Sequence, residues 1–316
     1  MKFTERERKS PFIHLNNTAK PGIVCGPFHA ISYYIGCPFK CSYCYLQTTF
    51  RGKVDPVIYT NREKALRELD EWLAQPGGLR LNAGELEDSL ALDGQIPLVD
   101  DLVPRFAAQR RHKLLLVTKS TNVRNLLKHD PEGQVIVAFS VNAPEVSRRY
   151  ELEAPHPLDR VRAAAKVKAA GYHVTLRLDP MIPIEGWEQL YPEFIQEVYR
   201  EFQPDQWTIG SLRFYSSLPM WTKKMGRNAA IYQYGQEHSR EDRRRRIATY
   251  VRSNMYVTAI SEIRSHDRNA IVRLCKETTS LYQLMEVSPS GCCYSELGGV
   301  DNGDDTRARV ALRSSL

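Results

Sequence analysis

Short apolar runs alternate with amphipathic stretches through the middle of the chain. The segment 112–120, HKLLLVTKS, is apolar at consecutive positions and reads as a buried strand. The segments 134–142 (QVIVAFSVN), 172–183 (YHVTLRLDPMIP, closed by prolines) and 206–214 (QWTIGSLRF) read the same way. Two earlier segments, 31–36 (ISYYIG) and 79–85 (LRLNAGE), bring the expected strands to six. Runs that are continuous rather than alternating imply strands covered on both faces. Between them, 61–75, 158–172 and 187–202 carry apolar residues at helical spacing. Pro192 leaves the start of the third helix open.

Strands separated by helices of this length form βαβ units and a parallel sheet. The pattern predicts an α/β fold, a partial (β/α)6 TIM barrel with a C-terminal extension. The expected division is an N-terminal segment over 1–24, the barrel over 25–215 and a basic extension over 216–316 that covers the barrel mouth. Beyond the sixth strand, 212–228 reads as irregular, 237–255 as a basic helix and 288–305 as turn-rich, before a loose tail. Chemistry in such barrels gathers at the carboxyl ends of the strands. The polar residues expected there are Cys37 onward, Glu85, Lys119, Ser140 with Asn142, Asp179 and Arg213.

A length of 316 residues fits one large domain or two small ones, and 42% apolar content supports a substantial core. No apolar run approaches the ~18 residues that span a bilayer. The N-terminus, MKFTERERKSPF, is charged and lacks an apolar core, so a cytoplasmic protein with no membrane partner is expected. The net charge of +7 is uneven: residues from 210 onward hold 17 Lys/Arg against 11 Asp/Glu. Such an excess either tracks a phosphate backbone or solvates a surface. Four arginines at 243–246, on a helix, would point around its whole circumference.

Seven cysteines in a chain with no export signal argue against a disulfide framework. Three of them fall within GCPFKCSYC, at Cys37, Cys41 and Cys44. Thiolates select zinc, copper(I) or iron–sulfur clusters. A structural zinc wants four ligands, which His29 or Cys292 would have to complete. A [4Fe–4S] cube held by three thiolates keeps one iron open for an exogenous ligand. Cys25 reads as structural, and Cys275, within IVRLCKETTSLYQL at helical spacing, as core.

CxxxCxxC followed by an aromatic residue resembles the signature of the radical S-adenosylmethionine superfamily. The wider CSYCYLQT is similar to the spore photoproduct lyase family, over roughly residues 25–215. The resemblance implies a [4Fe–4S] cluster on Cys37, Cys41 and Cys44, with S-adenosylmethionine chelated to its open iron. One-electron cleavage would give methionine and a 5′-deoxyadenosyl radical that takes a hydrogen atom from the substrate. An electron donor such as flavodoxin or ferredoxin would be a partner.

Residue by residue, Gly84 and Glu85 resemble the glycine-rich element that meets the methionine end of the cofactor. Lys119 matches a lysine that contacts its carboxylate. Ser140 is similar to a cofactor-contacting serine, with Asn142 beside it. Tyr43 and Tyr45 match tyrosines implicated in relaying a hydrogen atom, or else pack around the cluster. Asp179 and Arg213 are substrate-side candidates, or a salt bridge between neighbouring strand ends.

One departure stands out. The family's hydrogen-donating cysteine follows the second strand, and here Gly84 falls about where it would be. Cys292 and Cys293 are the candidate replacements. The expected function is radical chemistry on a nucleic-acid base, a modified thymine in DNA being the sharper form, for repair, rearrangement or hypermodification. The alternatives are the same chemistry on a peptide or small metabolite, and a zinc-stabilised nucleic-acid-binding protein.

Overall fold

The computed structural model describes residues 3–17 and 20–287. The turn-rich stretch 288–305, Cys292, Cys293 and the tail lie outside the described residues. The main sheet has eight strands: β1 (Ile13–Asn16), β2 (Phe28–Ile31), β3 (Arg80–Ala83), β4 (Lys113–Thr118), β5 (Val135–Ser140), β6 (His173–Met181), β7 (Gln206–Ser211) and β8 (Val272–Leu274). They stand in the sheet in chain order. β1 and β2 are antiparallel, and every pairing from β2 to β8 is parallel.

Helices fill most of the crossovers. These are α1 (Arg62–Leu73), α2 (Leu98–Ala107), α3 (Pro144–Tyr150), α4 (Pro157–Ala169), α5 (Trp187–Glu201), α6 (Leu218–Lys224) and α7 (Thr249–His266). The fold is the expected partial barrel of six β/α units, extended by β1 at one edge and β8 at the other. The strands are built from the apolar runs: Leu114, Leu116, Val135, Val137, Val174, Leu176 and Ile209 are all fully buried. α3 and α4 each open on a proline, whose missing N–H is no loss in the first helical turn.

Four expectations need correction. The first barrel strand is Phe28–Ile31, not 31–36. The chain leaves the sheet at Ser32, whose N–H donates to the Phe12 carbonyl at 3.2 Å, and Tyr34–Ile35 pair instead with Val57–Tyr59. The tyrosines are buried there with hydroxyls satisfied, Tyr33 by Asp101 at 3.1 Å. Their apolar run therefore belongs to a different, smaller sheet.

The stretch 237–255 is not one helix. Glu237–His238 pairs with Arg245–Arg246, which pairs in turn with Arg213–Phe214, and α7 begins only at Thr249. Asp242 explains the hairpin: its carboxylate accepts from the Arg244 N–H at 3.2 Å and from Arg246 at 2.7 Å. Arg246 is thus buried and paired while Arg243 and Arg245 stay exposed, so the run is not a charged helix face. The stretch 212–228, read as irregular, contains α6. The segment around Cys275, read as helical, supplies β8.

The ends of the parallel run are linked. Val24 N–H donates to the Glu277 carbonyl at 2.8 Å, and Thr279 N–H to that of Gly22 at 3.0 Å. The fully buried Glu277 carboxylate accepts from Arg252 at 2.6 Å, Tyr256 at 2.7 Å and Ser211 at 3.2 Å, tying α7 to β7 and to the segment after β8. Glu277→Leu removes the closest carboxylate from the buried Arg252 charge, leaving it Glu237 at 3.5 Å, and is expected to cost about 3–5 kcal/mol in urea unfolding. A loss below about 1 kcal/mol would show that this network does not hold the ends together.

Candidate active site

The carboxyl ends of β2 to β8 open onto one cavity of about 380 Å³. Cys37, Cys41 and Cys44 line it from the loop that follows β2. That loop turns at Gly36, with φ of 91°; a side chain there would meet the Val54 carbonyl at 2.6 Å. Cys37 N–H donates to the same carbonyl at 3.0 Å.

Three of the loop's carbonyls accept from side chains. Gln47 donates to Ser42 at 2.9 Å and Cys44 at 3.0 Å. From beyond the sixth β/α unit, Thr222 and Tyr232 donate to the Ser42 carbonyl at 3.0 and 2.8 Å, and Arg227 to that of Cys41 at 3.0 Å. The C-terminal extension therefore fastens the three-cysteine loop, an arrangement with no signal in the sequence pattern.

The thiols are crowded. Burial pushes the Cys37 thiol well above its ordinary value, and the Asp88 carboxylate and the other two thiols add to the effect. Burial pushes Cys41 up to about 12 even with Lys119 opposing it. Three thiols that resist ionising beside one another are matched to a positive centre, which reverses that balance and deprotonates them. Among the described residues, no group of three or more His, Cys, Asp or Glu converges as the ligands of a single ion do. The three thiols nonetheless share one cavity, and an iron–sulfur cube is larger than an ion and spreads its ligands more widely. His29, the suggested fourth zinc ligand, packs against Trp72 with ring centroids 5.7 Å apart and is not in the cavity lining.

The ends of β3 and β4 form the next wall. Asn82, within β3, and Gly84, just past its end, both line the cavity. Asn82 is buried and its Oδ1 has no hydrogen-bond partner. It sat in view within NAGE, but a strand asparagine carries no sequence mark of an orphaned acceptor. Gly84 has φ of 115°, and a Cβ there would lie 2.8 Å from both Ser89 Oγ and the Val117 carbonyl. The Glu85 carboxylate accepts from Asn16 at 3.0 Å and also borders the cavity.

Asp88, unflagged by the sequence pattern, lies beneath. It accepts from Thr118 Oγ1 at 2.6 Å and from the Lys119 N–H at 2.6 Å. Burial works against the Lys119 charge, but the Cys41 thiol, Glu151 and Asp88 outweigh that and hold its pKa above the ordinary lysine value. Tyr43 lies 5.6 Å from the Lys119 ammonium and hydrogen-bonds through its hydroxyl to Glu151. Glu151 is itself clamped by the buried Arg160 at 2.6 Å. Tyr45 lines the cavity with its hydroxyl on the Glu85 backbone carbonyl.

Ser140 lines the cavity, and its carbonyl accepts from Arg160 at 3.1 Å. Asn142 does not: its amide donates to the Pro180 carbonyl at 2.8 Å and accepts from the Ala143 N–H at 3.0 Å. Its fully buried side chain braces the backbone, so the expected cofactor contact is corrected for this residue.

The opposite wall joins Asp179 and Arg213 through two bonds of 2.9 Å. Gly210 makes room for the pair, since a Cβ there would lie 2.7 Å from Asp179 Oδ1. Cys275 stands beside them, with Arg213 and Arg177 donating to its sulfur at 3.1 and 3.3 Å. Cys275 and Cys25, read as core and structural, both line the cavity. At the mouth, Arg244 lies 4.9 Å from the ring centre of the exposed Tyr215, near Lys276 and Lys20.

The model of the spore photoproduct lyase family matches residues 16–275. The spore photoproduct lyase of Bacillus subtilis (strain 168) is 32% identical over 173 residues, covering 54% of this chain and 50% of that protein. The chain spans about half the length of the curated relatives it matches. A solved structure of spore photoproduct lyase complexed with dinucleoside spore photoproduct superposes with a TM-score of 0.75, at 22% identity, over 86% of this chain and 82% of that one. Another, a variant with bound AdoMet and dinucleoside spore photoproduct, gives 0.73 at 23% identity over 85% and 81%.

The Asp179–Arg213 pair offers a direct test of the far wall. Burial opposes Asp179 ionisation, but Arg213 and Arg177 outweigh it and hold the carboxyl well below its usual range. A folded pKa below the unfolded one contributes stability above the unfolded value and loses it as pH falls through the folded value. Arg213→Met is expected to cost about 3–5 kcal/mol near pH 7. The gap from wild type, read by urea unfolding, should hold its size from about pH 7 down to about pH 4 and narrow as pH falls further, while a gap that stays constant below about pH 4 would contradict the assignment.

Proposed function

This chain belongs to the spore photoproduct lyase family, and on that premise we propose that it is a radical S-adenosylmethionine enzyme acting on a thymine-derived base in DNA. The observation that carries the reading is the meeting of Cys37, Cys41 and Cys44 with Asn82 and Lys119 around one cavity.

The three thiolates would hold a [4Fe–4S] cluster, and three protein ligands leave its fourth position for S-adenosylmethionine. When bound, the pair supplies reductive cleavage of the sulfonium and a 5′-deoxyadenosyl radical that abstracts hydrogen from the substrate. The chain's own residues do the rest. Asn82 Oδ1, buried and without a partner, and the Glu85 carboxylate would accept hydrogen bonds from an α-ammonium. Lys119, kept charged inside the cavity, would balance a carboxylate. Ser140 would stand at the cofactor side. Gln47, Thr222, Arg227 and Tyr232 keep the loop in shape.

Tyr43 and Tyr45 would shield the cluster loop, with their hydroxyls anchored to Glu151 and to the Glu85 backbone. Asp179 and Arg213 face the substrate end, away from the three cysteines in sequence and on the opposite wall. The cavity volume falls in the range of small-molecule sites. Arg244, Lys276 and Lys20 give its mouth a positive rim, and Tyr215 offers a ring for stacking. A flipped base entering the cavity would leave its phosphates at that rim. The electron would come from a flavodoxin- or ferredoxin-type carrier.

Purified without oxygen, the protein is expected to be brown and to release 5′-deoxyadenosine when reduced with S-adenosylmethionine, and Cys41→Ala to lose both properties. A colourless protein carrying one zinc would sink the reading. Binding to DNA should weaken steeply with salt, and Arg244→Ala should reduce the slope of log affinity against log salt by about 1. Salt-insensitive binding would transfer the chemistry to another substrate class.

A further inference from the structure

Cys275 follows β8 at the same end of the sheet as the three-cysteine loop, and it lines the same cavity. Its side chain is held by polar neighbours. Arg213 and Arg177 donate to its sulfur at 3.1 and 3.3 Å, and its thiol hydrogen-bonds to Asp179. The residue is only 5% exposed, so its sulfur is shielded from bulk solvent while still bordering the cavity. Among the described residues, the other thiol in the lining outside the three-cysteine loop is Cys25, half-exposed where the cavity meets the mouth.

A carbon radical formed in a closed cavity must recover a hydrogen atom before the product leaves. The S–H bond is weaker than an ordinary C–H bond, so a buried thiol is the natural protein donor. Position 84 has no room for one, since even a Cβ would crowd the Val117 carbonyl at 2.8 Å. We propose that Cys275 is a catalytic residue that returns a hydrogen atom to the substrate radical, an inference that rests on the radical chemistry proposed above.

In that step the Cys275 S–H bond breaks and a C–H bond forms on the substrate. The sulfur is left one electron short. One electron from a flavodoxin- or ferredoxin-class carrier converts the thiyl radical to a thiolate, and a proton from water restores the thiol. The neighbouring groups suit both halves of the cycle. Asp179 accepts the hydrogen bond of the resting thiol, and the two guanidiniums that donate to the sulfur stabilise the thiolate formed on reduction.

The holoenzyme is turned over with dinucleoside spore photoproduct in D2O, which exchanges the thiol hydrogen. Wild type is expected to place solvent deuterium in the product, and Cys25→Ser to do the same. Cys275→Ser keeps 5′-deoxyadenosine formation within about twofold, lowers product about tenfold or more, and removes the deuterium. Equal yield and equal deuterium in Cys275→Ser would overturn the assignment. If wild type forms 5′-deoxyadenosine but no product from this dinucleoside, the substrate reading fails, and a second readout still decides where Cys275 points. In the folded, cluster-free chain, iodoacetamide should alkylate Cys275 through the cavity, as mapped by peptide mass. Labelling of Cys275 only after unfolding would overturn its placement at the reaction space.

Discussion

The structure turns on three thiols confined to one short loop. Bare, they resist ionising, because burial opposes it and outweighs the nearby positive charges of Lys119 and Arg227 at Cys41 and Cys44. A loop with such contents keeps its shape only if its backbone is held from outside. Gln47 holds it from within the same segment, and Thr222, Arg227 and Tyr232 hold it from beyond the sixth β/α unit. The extension that follows the sixth β/α unit is thus part of the loop's construction, as well as a wall of the cavity.

The cavity has two chemically distinct sides. The loop side gathers thiols, an orphaned amide oxygen and one ammonium, a set matched to a cluster and an amino acid. The strand side from β6 to β8 gathers two guanidiniums, a carboxylate and a thiol in mutual contact. Two glycines make these sides possible. Gly84 lets the end of β3 pass close to Val117, and Gly210 lets Asp179 cross over β7. Neither position tolerates a side chain, so the cavity's outline is set by backbone as much as by functional groups.

Much of this was legible in the residues. Continuous apolar runs gave the parallel strands, because strands buried on both faces cannot alternate. The cysteine spacing and the strand ends gave Lys119, Ser140, Glu85 and the loop. The remainder depended on tertiary pairing. Tyr33 and Tyr34 read as barrel strand, but they serve a separate small sheet. The arginine run read as helix until Asp242 drew Arg246 into a buried pair. Asn142 looked like its neighbour Ser140, yet its amide is consumed by backbone. Cys275 read as core at helical spacing because a three-residue strand leaves too little pattern to see.

The central claim is that the three-cysteine loop carries a cluster with one position open to S-adenosylmethionine. Electron paramagnetic resonance of the anaerobically reduced protein tests it most directly. A four-iron signal whose shape changes when S-adenosylmethionine is added is the predicted result. A spectrum indifferent to the cofactor, or no iron signal at all, would contradict it.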